Sequence, residues 1–183
     1  LLGWRSYRPR TEHLLEHLAD AKLLEPAGYR RYRFHDLVRI FARERLMAEV
    51  PAMRRRAALL RAFTYYLERT REQWEILSDP STGAADRAEA EAWFSRTRRA
   101  IVGAVRRAEE DGHGGLARDL ATAVAPYLET HGYPVDLVAV AGVAARCSRG
   151  TRDRAALALA LRDLGVAESR RSRHDEALAA LTE

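Results

Sequence analysis

The sequence predicts an all-α protein with one short β-hairpin wing. Three observations carry that prediction. Apolar residues recur at three- and four-residue steps through most of the 183 residues. Prolines and glycines cut this pattern into segments of helix length. Only Leu23 to Phe34 reads differently, as two short strands around a turn at Pro26 to Arg30.

The elements follow in order. Thr11 to Leu24 carries Leu14, Leu15, Leu18, Ala21 and Leu23, with Thr11 as the expected N-cap. After the hairpin a helix starts near Asp36, with Leu37, Ile40, Phe41 and Leu46 on one side. Helix, hairpin and helix form the back half of a winged helix. Pro51 marks a boundary, beyond which every segment reads as helix. Ala52 to Leu77 carries Leu59, Phe63, Tyr66, Leu67, Thr70, Trp74 and Leu77. Asp79, Pro80 and Gly83 mark a loop. Ala88 to Glu110, Leu116 to Thr130, Val135 to Cys147 and Asp153 to Arg170 follow, and a last helix begins near Asp175. Short breaks between helices force antiparallel neighbours, so these segments stack as hairpins. The expected organisation is a winged-helix part over 1–50, a helical part over 51–150 and the start of a repeat array over 151–183.

The closing segment has the most specific pattern. Leu161-x-x-Leu164-Gly165, followed by Ala177-x-x-x-Leu181, fits tetratricopeptide spacing. Gly165 admits a close helix, Ala177 faces it, and the leucines fill the space between. Leucine stands where that repeat has tryptophan, and Glu168 where it has tyrosine.

Composition bounds the function. Apolar residues make up 47% and charged residues 31%, which suits a real core under solvated helix faces. The net charge of +5 permits a nucleic-acid partner without demanding one, because the arginines are spread along the chain. Cys147 is the only cysteine, so no intrachain disulfide forms and a cytoplasmic home fits. No apolar run reaches membrane-spanning length. The chain opens on Leu1-Leu2-Gly3 and stops inside an apolar pattern, which predicts a piece of something longer.

Several residues could carry chemistry. His35 stands just before a helix start, where free backbone N–H groups and the helix dipole favour an anion. There a histidine can donate to a phosphate oxygen, or serve as a plain packing or capping residue. Asp36 can cap the helix or tie it to the wing, and Arg31, Arg33 and Arg39 surround the pair. His13-Leu14-Leu15-Glu16-His17 fits the inverted zinc-protease spacing, with Glu44 or Glu49 as a conceivable third ligand. A surface helix with two histidines is the default reading. No phosphate-binding Gly-x-x-x-x-Gly-Lys-Thr/Ser motif occurs, so the chain is not expected to be an enzyme by itself.

The run Leu23-Leu24-Glu25-Pro26, then Arg31 to Arg45, resembles the end of the winged-helix domain in the NB-ARC class of STAND ATPases. More narrowly it is similar to actinobacterial regulators of the SARP family, the AfsR-like proteins. Phe34-His35-Asp36 matches the class's Met-His-Asp motif, with phenylalanine for methionine. Ala90-Glu91-Ala92-Trp93-Phe94 and Arg99 to Val105 are similar to the helical ARM region that follows there, with Phe94 and Arg99-Ala100 as departures. The resemblance implies that His35 contacts the phosphate of ADP or ATP held by a separate NB-ARC domain, with Asp36 in support. It implies helical repeats that bind a protein or effector, DNA binding through another domain of the parent, and no membrane. The alternative is a stand-alone adaptor, a winged helix with tetratricopeptide repeats, that binds DNA or protein.

Overall fold

A computed structural model describes residues 8–27 and 32–183. The fold is all-α with one small antiparallel sheet: α1 Arg8–Asp20, β1 Leu24–Pro26, β2 Tyr32–Phe34, α2 Asp36–Glu49, α3 Ala52–Ser78, α4 Ala84–Glu110, α5 Gly114–Thr130, α6 Pro134–Arg149, α7 Arg154–Arg170 and α8 His174–Thr182. The chain divides into two compact units, Leu1–Ala57 and Ala58–Glu183.

In the first unit, α1 begins at Arg8, so Thr11 lies inside the helix and is not its N-cap. Pro9 explains the earlier start, because a proline fits the first turn of a helix, where no N–H is needed. The helix ends on Lys22 at φ 59°, and Leu23 N–H donates back to the Leu18 carbonyl at 2.9 Å. The strands pair Leu24 with Phe34, Glu25 with Arg33 and Pro26 with Tyr32. Of the turn expected at Pro26 to Arg30, Pro26 belongs to β1, and residues 28–30 lie outside the described residues. The predicted apolar side of α2 is exposed, with Leu37 at 75%, Phe41 at 61% and Ile40 at 56%. Only Leu24 is fully buried among the described hydrophobic residues of this unit, too little apolar surface to draw α2 onto a core.

The second unit holds the core. The predicted stripes point inward: Phe63, Leu67, Thr70 and Leu77 from α3, Phe94, Ile101 and Val105 from α4, and Leu120, Val124, Tyr127 and Leu128 from α5 are buried. Each helix from α4 to α8 packs on the next, and α4 also touches α6 as α5 touches α7. Ion pairs run along the same two layers. Glu109 on α4 takes two bonds from Arg146 on α6, at 2.8 and 2.9 Å. Arg162 on α7 reaches Glu129 on α5 at 3.1 Å, and Arg149 on α6 reaches Glu183, just past α8, at 2.7 Å. Arg98 on α4 pairs with Asp136 on α6.

The hairpin α7–α8 packs in part as its spacing predicts. Leu161 and Ala177 are buried, and a Cβ on Gly165 would lie 2.6 Å from the Leu181 Cγ. Leu164 is only half-buried and Leu181 is exposed, so these two leucines do not fill the space between the helices. The repeat spacing is longer than a tetratricopeptide's. Starts of α5 and α7, Gly114 and Arg154, lie 40 residues apart, against about 34 for that repeat.

An aromatic column fastens α4 to α5. The Phe94 and Tyr127 rings stack at 4.0 Å, and His131 stacks on Tyr127 at 4.1 Å. His131 is held by Glu91 Oε1, 2.8 Å from its Nε2, and the Arg98 guanidinium lies 3.9 Å over the Tyr133 ring. Burial pushes the Tyr127 hydroxyl up to about 12.

Three of the turns share one geometry. α4, α5 and α7 each end in a left-handed residue, Gly112 at φ 80°, Gly132 at 71° and Ser172 at 59°. In each the next N–H reaches back to a carbonyl of the last turn: His113 to Ala108, Tyr133 to Leu128 and Arg173 to Glu168, at 2.8 to 3.0 Å. This is the Schellman closure, and it favours glycine. Ser172→Gly is therefore expected to raise unfolding free energy by about 0.5–1 kcal/mol, and Gly132→Ala to lower it by about 1 kcal/mol, in urea titrations.

The Glu109–Arg146 pair sets a pH dependence. The Arg146 bonds hold the Glu109 carboxyl below the usual glutamate value, against an opposing effect of burial. A depressed folded value stabilises the fold above the unfolded pKa, and the gain is lost as pH falls through the folded one. Because the arginine is half exposed, Arg146→Gln should lower stability by only about 0.5 kcal/mol near neutral pH. That loss should fade as pH falls through the depressed folded value of Glu109, in urea melts run across pH.

Candidate functional site

The Phe34-His35-Asp36 segment lies where β2 becomes α2. Tyr32 and Phe34 are good strand formers, and the strand ends on Phe34. His35 adopts φ −59° and ψ 144°, non-helical values that suit an N-cap, and its carbonyl accepts from Arg39 N–H at 2.8 Å. Its ring makes no capping bond and is exposed to solvent. It therefore stands free beside the first turn of α2, whose outward N–H groups have no helical acceptor.

The neighbours are engaged. Arg33 donates to Glu25 Oε2 across the hairpin at 2.9 Å, and Asp36 pairs with Arg39 one turn on at 3.2 Å. Asp36 is the first helical residue, not the cap, and it is tied to α2 itself, not to the wing. Arg31 lies outside the described residues. Glu25, Arg33, Phe34, His35 and Asp36 line a shallow depression of about 200 Å³. The Arg33 bond holds the Glu25 carboxyl below its usual value, with a smaller contribution from the charge of His35. The depression thus carries two carboxylates beside one arginine and one histidine.

His13 and His17 do share a face of α1, with ring centroids 4.2 Å apart. Among the described residues no group of three or more His, Cys, Asp or Glu side chains could hold a metal ion. Among the described residues the zinc-protease spacing therefore finds no third ligand.

The second unit adds a groove that no motif announced. Arg71 of α3, Arg118 and Thr122 of α5, and Asp153 and Leu159 at α7 line a hollow of about 220 Å³. These residues come from alternate helices dozens of positions apart. The usable signal is that each sits on the polar side of an amphipathic helix, which also describes most surface residues.

About a third of the chain is similar to Regulatory protein AfsR. The match to that protein from Streptomyces griseus is 51% identical over 59 residues, and to that from Streptomyces coelicolor 52% over 61 residues. Each covers 31% of this chain and 6% of the relative, so the chain matches only a small part of the curated relatives' length. No family model matches the chain, and no solved structure does. Among the described residues no helix is long and apolar enough to cross a membrane.

The cross-strand pair gives a direct check on the hairpin register. In Arg33→Ala the Glu25 carboxyl is expected to titrate higher than in the wild type, followed by carbon-detected NMR. An unchanged midpoint would mean that the pair does not form in solution.

Proposed function

We propose that this chain is the regulatory part of a nucleotide-switched transcriptional regulator of the SARP type. In this reading the segment around His35 closes on ADP or ATP held by an NB-ARC domain elsewhere in the parent protein. The histidine donates to a phosphate oxygen, and the first turn of α2 adds its N–H groups and dipole. The observation that carries the reading is the exposed His35 ring, free of a capping bond, at the start of α2 within Phe34-His35-Asp36. The similarity to the two Streptomyces regulators supports it.

The helical unit supplies the receiving end. Its grooved helices take up a protein or effector, and the Arg71–Arg118–Thr122 hollow suits a segment with both polar and small apolar groups. The parent contacts DNA through another domain. The chain performs no catalysis in this scheme, because it holds no phosphate-binding loop.

Calorimetry of ADP on the nucleotide-binding parent tests the latch. His35→Ala is expected to weaken ADP about tenfold, the loss of one charge-assisted hydrogen bond of about 1.4 kcal/mol, and to raise basal transcriptional activity. Equal ADP affinity in both proteins would reduce His35 to a residue at a helix start and favour an adaptor.

A further inference from the structure

The outer face of α4 carries a basic stripe that the nucleotide latch does not use. Arg96, Arg99 and Arg106 are all exposed, and with Gly103 they fall within about 80° of one another around the helix, opposite its buried side. Between Glu89 and Glu110 that face bears no acidic side chain. Arg99 and Arg106 have no hydrogen-bond or ion-pair partner among the described residues. Arg61, Arg71, Arg152 and Arg154 of the same unit are likewise unpaired, whereas Arg98, Arg146, Arg149 and Arg162 are tied into ion pairs between helices. Gly103 lies between them with nothing within 4 Å of where a Cβ would be. From Arg96 to Arg106 the stripe runs about 15 Å along the axis.

We propose that this face binds the phosphate backbone of duplex DNA without reading its sequence. Charge alone would equally suit an acidic protein, but the make-up of the face separates the two. A protein interface needs aromatic or aliphatic anchors at its centre. Here the residues between the arginines are small, Ala100 and Gly103 among them. Interfaces with DNA are polar, strongly basic and without an apolar centre. Two unpaired guanidinium forks two turns apart can each hold a phosphate oxygen pair. The low surface at Gly103 lets a wide rod lie against the helix between them. The site carries no base-edge chemistry, so binding is weak, general and salt-dependent.

The test uses the whole 183-residue chain and a fluorescent 20-base-pair duplex of arbitrary sequence, read by anisotropy at low salt. Binding should fall with salt at a log–log slope of about 2 to 3, the number of phosphates the arginines neutralise. Arg99→Glu with Arg106→Glu should weaken it at least about tenfold, and Arg99→Lys with Arg106→Lys should largely retain it. Arg54→Glu with Arg56→Glu, on the first turns of α3, should leave most of it. Thermal melts of each variant check that the helical unit is intact. No binding at low salt overturns the proposal, as does an equal loss in both charge-reversal pairs. So does binding of a glutamate-rich helical peptide, and not of the duplex, that disappears with the Arg99 and Arg106 reversal.

Discussion

The helical unit depends on how its helices stop. At three of its turns one residue goes left-handed and the following N–H reaches back to a carbonyl of the last helical turn. That closure satisfies carbonyls a helix end would otherwise leave open. It also reverses the chain within three residues, so the next helix has no choice but to run back along the previous one. The core follows from that reversal. Val124, Leu128, Leu137 and Val140 meet because their helices are forced side by side. Two of the three positions are glycine, and Ser172 adopts the same conformation at a steric penalty.

Packing then repeats at a distance of two helices. α4 lies beside α6, and α5 beside α7, and each of these pairs is joined by ion pairs as well as by apolar contact. Such pairs add little energy when exposed. Their value here is register: Arg98 with Asp136 and Arg146 with Glu109 pin α4 to α6 at both ends of their contact. The Phe94–Tyr127–His131 column does the equivalent between α4 and α5, with stacked rings that tolerate little sliding.

Nearly all of the fold was legible along the chain. The helix segments, the hairpin and the inward stripes are local periodicities, and a three- or four-residue step already names the buried side. The close approach at Gly165 was legible too, because only a glycine between leucines allows it. Two local readings failed for local reasons. Thr11 looked like a cap, but the proline at position 9 starts the helix earlier. The α2 stripe looked like a core face, yet the described part of its unit offers too little apolar surface to cover it.

By itself the sequence determined the order and length of the helices, the turn chemistry and the place of His35 at a helix start, because each rests on neighbours within a few residues. Only the tertiary structure decided which arginines are spent. Of two equivalent charges on one helix, Arg98 is drawn to Asp136 and Arg99 is left to solvent, since α6 passes on one side of α4 and not the other. Likewise it brought Arg71, Arg118 and Leu159 from three helices to one hollow. Contacts between helices dozens of residues apart leave no periodic trace in the chain. They arise from the packing of whole helices, and that packing selects the groups that remain free to act.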